Sequence, residues 1–129
     1  GGLCARVLRF NGGVPLEEVV LRHAIGEDVG ELRLDRASSG VMMIPIPRDG
    51  IYLGCLGAEA ARSVAGVEDV EITATEGQRF QRLPEGGSYL GFLFARAAGP
   101  DAVEAALRQA HAELTFRFAT MLAVLPKRK

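Results

Sequence analysis

The chain has 129 residues, 48% of them hydrophobic and 24% charged, with a net charge of −1. This is one domain's worth of globular composition, neither disordered nor membrane-like. The near-neutral balance gives no general pull towards nucleic acid or anionic lipid. No apolar run reaches the roughly 18 residues of a membrane helix, so neither nucleic acid nor membrane is expected as a partner.

In chain order, Leu3, Val7 and Phe10 fall at i, i+4 and i+7 with Arg6 and Arg9 between them. This spacing predicts a short helix, stopped by Asn11-Gly12-Gly13. Pro15 suits a first helical position, and Glu17 and Glu18 sit where a helix dipole favours negative charge. Leu16, Val19, Val20, His23 and Ala24 share one face of that second helix, and Gly26 stops it.

The apolar run Val41–Ile46 reads as a buried strand that Pro45 and Pro47 push towards a sheet edge. Arg48-Asp49-Gly50 is turn chemistry, so Ile51–Leu56 is expected to return beside it as a hairpin. "GAEAARSVAG" predicts a helix of about two turns. Val67, Val70, Ile72, Thr73 and Thr75 favour a strand, with Arg79–Leu83 as its returning partner. Pro84-Glu85-Gly86-Gly87 is a loop. Tyr89–Ala95 is aromatic and aliphatic throughout and reads as a central strand buried on both faces, with Gly91 leaving room for a close neighbour. Pro100 opens a last helix, in which Val103, Ala106, Leu107, Ala110 and Leu114 form one face. Leu114, Phe116 and Phe118 then alternate with Thr115 and Arg117, as a strand does. The expected fold class is α+β with a largely antiparallel sheet and packing helices.

Chemistry is harder to find. The sequence carries no Gly-x-x-x-x-Gly-Lys loop, no Gly-x-Ser-x-Gly elbow, no His-Glu-x-x-His and no Cys-x-x-Cys. Gly54 and Gly57 bracket "GCLG", where a tight turn is a better reading than a phosphate cradle. His23 and His111 read as structural histidines. Glu68, Asp69 and Glu71 read as a solvated acidic strand edge rather than a metal site. Arg6 and Arg9 read as solvated helix residues. Cys4 and Cys55 lack ligand-spaced partners and read as buried hydrophobes in a reducing compartment. No secretory signal pattern opens the sequence, and a cytoplasmic location is expected. On the residues alone two readings stand open. One is part of an enzyme whose chemistry lies elsewhere; the other is a free-standing α+β ligand-binding or dimerisation module without catalysis.

Three blocks together, "GGLCARVLRFNGGVPLEEVVLRHAIGED", "SSGVMMIPIPRDG" and "LPEGGSYLGFLFARAAGPDAVEAALRQAHAEL", resemble the C-terminal region of ATP-grasp ligases, in the branch that includes L-amino acid ligases. The likeness runs from Gly1 to about Phe118. It implies a parent enzyme that uses ATP and magnesium to join a carboxylate to an amine through an acylphosphate. The family's metal ligands and its arginine lie just before the position of Gly1. Together with the missing initiator Met, this sets the expectation of a C-terminal fragment that binds neither ATP nor magnesium by itself. The expected organisation is a lead-in over 1–37, a sheet subdomain over 38–120 and a tail over 121–129. The resemblance places Gly1, Gly2, Leu3, Cys4 and Ala5 at the amino-substrate pocket. It implies no catalytic residue and no metal ligand in this chain. As partners it implies the remaining ATP-grasp lobes, amino acids or other carboxylate and amine substrates, and, as a further arrangement, a homodimer.

Overall fold

The structure, a computed structural model, describes residues 2–122. Four α-helices and eight strands are described: α1 (Gly2–Arg6), β1 (Arg9–Phe10), β2 (Val14–Pro15), α2 (Leu16–Ala24), β3 (Ser38–Ile44), β4 (Gly50–Leu56), α3 (Ala58–Arg62), β5 (Val67–Ile72), β6 (Arg79–Phe80), β7 (Gly91–Ala97), α4 (Pro100–Glu113) and β8 (Thr115–Ala119). The α+β class stands, and every described pairing between named strands is antiparallel.

The strands divide between two three-stranded sheets, in orders β3-β7-β5 and β6-β4-β8, beside the small β1-β2 pair. Along the chain from β3 to β8, successive strands alternate between the two sheets. This overturns both expected hairpins. β4 does not return along β3 but pairs with β8, Tyr52 facing Phe118. β6 does not return along β5 but pairs with β4, Gly50 facing Phe80. The physical reason lies in the sheet faces. Pro45 and Pro47 cannot donate to a ladder, so the chain leaves the first sheet at Ile44 and enters the second at Gly50.

The short elements also differ from expectation. The first helix ends at Arg6, and Arg9–Phe10 instead pairs with Val14–Pro15 around a 3-10 turn at Asn11–Gly13. Gly12 and Gly13 take φ of 78° and 77°, conformations that glycine adopts without strain. Pro15 is the residue before α2 rather than its first residue. Thr73 and Thr75 lie beyond β5.

The core fills the space between the first sheet, its helices and the second sheet. β7 is the central strand, with Leu93 and Ala95 fully buried. α4 covers β7 and β3 through Val103, Ala106, Leu107 and Ala110, as its periodicity predicts. Gly40 permits that approach, since a Cβ there would stand 2.9 Å from a Val103 methyl. In the second sheet Tyr52, Phe80 and Phe118 come from three different strands. They meet edge to face with centroids 5.8–6.4 Å apart, the geometry that aromatic quadrupoles favour. α2 is amphipathic, but none of its residues is buried: Val20, Leu21 and the following Ile25 are 57%, 66% and 74% exposed. The apolar face expected to pack His23 is therefore open, and His23 is exposed.

Candidate functional site

The N-terminal segment is fixed to the first sheet by two arginines: Arg6, expected from its helix position to be solvated, and Arg96, which no sequence motif marks. Arg6 closes α1 and reaches across to β5. It donates to the carboxylates of Asp69 at 2.7 Å and Glu71 at 2.5 Å. Its guanidinium also lies 4.3 Å from the centre of the Phe94 ring, a cation–π contact. The hydrogen bond to Glu71, followed by the nearby carboxylate charges, pushes the Arg6 pKa above its ordinary value, against the lowering effect of burial. Glu68, Asp69 and Glu71 do lie on an edge strand, but all three carboxylates are paired with guanidinium groups rather than merely solvated.

Arg96 performs the matching role from β7. Only 16% of its side chain is exposed. It donates to Glu68 at 2.9 Å, to the Val7 carbonyl at 2.6 Å and to Asp35 at 3.5 Å. One guanidinium thus ties together the sheet edge, the turn after α1 and the loop before β3. A lone arginine inside the apolar run "GFLFARA" was the available signal, because a charge on a central strand needs partners.

Two clefts flank these anchors. One, of about 480 Å³, runs between Leu8, Leu34 and Asp35, the edge of β3 at Ser38, Ser39 and Met42, and Pro100, Val103 and Leu107 of α4. The second, of about 410 Å³, is polar and surrounds Arg6, Arg9, Glu68 and Asp69. Gly1 falls outside the described residues. Gly2 opens α1, Leu3 and Ala5 are half-buried in it, and of Cys4 only the backbone is described. Among the described residues, Leu3 and Ala5 do not line either cleft.

The remaining candidates are structural. Gly54 lies within β4, and Gly57 precedes α3 at φ 89° with its Cβ position only 1.9 Å from the Glu113 carbonyl. This turn is filled by backbone and has no room for a phosphate. Cys55 is partly buried, and burial pushes its thiol pKa up, only partly offset by the Thr115 amide. A raised thiol is a poor nucleophile near neutral pH. His111 is half-buried beside Pro45, Pro47 and Phe116. Among the described residues no three His, Cys, Asp or Glu side chains converge to hold a metal. The acidic cluster that comes nearest has its oxygens matched by Arg6 and Arg96, so the residues present do not fit a magnesium site. No described helix is long and apolar enough to cross a membrane. The arrangement is suited to holding and positioning.

A family model described as "L-amino acid ligase C-terminal domain 2" matches residues 42–119, from within β3 to the end of β8. The chain belongs to this family. Among solved structures, the L-amino acid ligase from Bacillus licheniformis superposes on this chain with a TM-score of 0.75 at 22% identity. The match covers 92% of this chain and 30% of that one, so the domain spans under a third of the relative's length. At that identity the likeness is one of fold. No curated protein matches the chain. The structural match extends beyond the 42–119 segment, and so takes in part of the lead-in as well.

Proposed function

We propose that this chain serves as the C-terminal subdomain of an ATP-dependent carboxylate–amine ligase. In that reading the carboxylate takes the γ-phosphoryl group of ATP, and the amine attacks the acyl carbon and releases phosphate. The observation that carries the reading is the family match over 42–119 within a fold that aligns along most of the chain. In this reading ATP and magnesium are held by lobes of a longer polypeptide.

The contribution of this chain is support. Gly1, Gly2, Leu3, Cys4 and Ala5 border the amino-substrate pocket, and the Arg6 and Arg96 clamps hold that segment on the sheet. Pre-positioning of this kind lowers the cost of aligning reactants. The exposed apolar face of α2 is then the surface on which the ATP-grasp lobes of the same polypeptide rest.

Two measurements test the reading. In a longer polypeptide that includes the ATP-grasp lobes, Leu3→Trp is expected to abolish ligation of bulky amino acids while leaving ATP binding intact. An unchanged substrate profile removes Leu3 from the pocket. By calorimetry, the 129-residue chain alone is expected to show no saturable magnesium–ATP binding. A micromolar Kd, equivalent to about −8 kcal/mol, places a nucleotide site within these residues and refutes the division of labour.

A further inference from the structure

We propose that the free edge of β3 is a self-pairing interface, which joins two copies of this chain through an antiparallel β3–β3 contact centred on Val41. Of the other outer strands of the two sheets, β6 is only two residues long and carries Arg79, and β5 and β8 are blunted. β5 carries Glu68, Asp69 and Glu71, its register shifts between Val67 and Asp69, and Arg62 caps the Val70 carbonyl. β8 carries Arg117, and Arg48 caps the Phe118 carbonyl at 2.6 Å. Such charges, bulges and caps are how sheets avoid unwanted pairing. β3 has none of them. Its seven residues, Ser38–Ile44, are uncharged and pair with β7 without a register shift. Among the described residues no backbone group outside β7 bonds to Ser38–Met43.

The backbone direction is fixed by its neighbours. The Ile44 carbonyl accepts from Leu90 N–H, so Ile44 points towards the β7 side. Alternation along an antiparallel strand then turns Ser39, Val41 and Met43 outwards. These three positions are spaced symmetrically about Val41. In a two-fold antiparallel pair, Val41 faces Val41 of the second copy and Ser39 faces Met43. Every outward N–H finds an outward carbonyl, which gives six backbone hydrogen bonds, and no like charges are opposed.

The helix layer agrees with this register. α4 sits over β3 and β7 together, with Val103 and Leu107 above Gly40. A second copy across the β3 edge would place its α4 about two strand spacings away, roughly 10 Å. That is the ordinary distance between packed helices, about 8–10 Å. The two helices run antiparallel. Glu104 and Arg108, exposed and paired within one helix, would then meet the opposite charge on the second copy. The apolar wall of the 480 Å³ cleft, Met42, Pro100 and Leu107, is the part that the second copy would cover.

Sedimentation of the 129-residue chain over a range of concentrations is expected to show a monomer–dimer equilibrium. Met43→Pro removes an outward donor from an exposed position and spares the β7 ladder, so it is expected to give a folded monomer with an unchanged circular dichroism spectrum. Met43→Lys serves the same purpose if the proline variant fails to fold. The register is tested in a background carrying Cys4→Ser and Cys55→Ser. There Val41→Cys is expected to cross-link on oxidation, since directly opposed residues stand about 5.5 Å apart, within disulfide range. Met43→Cys is expected to cross-link far more slowly. A parent chain that stays monomeric overturns the proposal, whatever fills the edge in a longer polypeptide. So does a dimer that survives both Met43 variants, or equal cross-linking at 41 and 43. None of these outcomes bears on the ligase reading.

Discussion

Leu93 and Leu107 are both buried core leucines, at 0% and 7% exposure, yet their surroundings predict unequal costs of truncation. Replacing either with alanine removes three carbons, worth about 2.4 kcal/mol at roughly 0.8 kcal/mol per methylene-sized group. At Leu93, on the central strand with α4 on its face, the void is sealed. A residual cavity of about 80 Å³ adds about 2 kcal/mol at about 24 cal/mol per Å³. Leu107 lies on the wall of the 480 Å³ cleft, so its void opens to water and adds little. The expected costs are therefore about 4–5 kcal/mol for Leu93→Ala and about 2–3 kcal/mol for Leu107→Ala. Urea denaturation followed by circular dichroism, in dilute solution where self-association is absent, measures both against the parent chain. Equal slopes with denaturant establish that stability alone has changed. Equal costs, or a larger cost at Leu107, would refute the placement of the sealed core under β7.

Other positions test other links. Gly91→Ala places a Cβ 2.2 Å from the Glu71 carbonyl, so β5 must move from β7. A cost on the order of 3 kcal/mol is expected, and an unchanged melting temperature would show that the sheet accommodates it. Arg6→Ala removes two half-exposed ion pairs and one ring contact, worth about 1 kcal/mol after solvent screening. Its larger effect is expected in hydrogen exchange, as faster exchange in α1 with the β7 amides unaffected. Cys55 keeps its proton in the folded state to higher pH than in the unfolded chain, because burial disfavours the thiolate. Its stabilising contribution is complete below the ordinary thiol range and is lost as pH rises through the folded-state value. Alkylation of Cys55, followed by mass spectrometry, should accelerate at higher pH than in the unfolded chain; coincident profiles would contradict this.

Local periodicity made most elements legible, and long-range pairing was where it stopped. The α4 face from Val103 to Ala110 and the double-sided burial of β7 followed from spacing and composition, because burial imposes period 3.6 on a helix and continuity on a central strand. The β3–β4 hairpin failed because Arg48-Asp49-Gly50 is turn chemistry wherever the chain turns, and such chemistry does not state which strands are joined. At the candidate site, Asp69 and Glu71 were visible as a charged edge and Arg6 as a charge on α1. Their meeting joins positions more than sixty residues apart, as the sequence separations of 63 and 65 record. No local pattern encodes such a meeting. Leu3 and Ala5 were placed by family resemblance, and nothing in their own chemistry marks them out.

The alternation of strands between the two sheets has a consequence for how the chain folds. The middle strand of the first sheet, β7, and the outer strand β8 of the second are the last two strands to be made. Ile51 must wait for Ala119, and Ser38 for Ala97, before either ladder closes. A nascent chain therefore holds β3 and β5 without β7, and β4 with only the two-residue β6, until β7 and β8 have been made. Non-local pairing of this kind slows folding and leaves apolar strands open to aggregation. It also means that a cut anywhere between β4 and β7 divides both three-stranded sheets, so neither half carries a complete one.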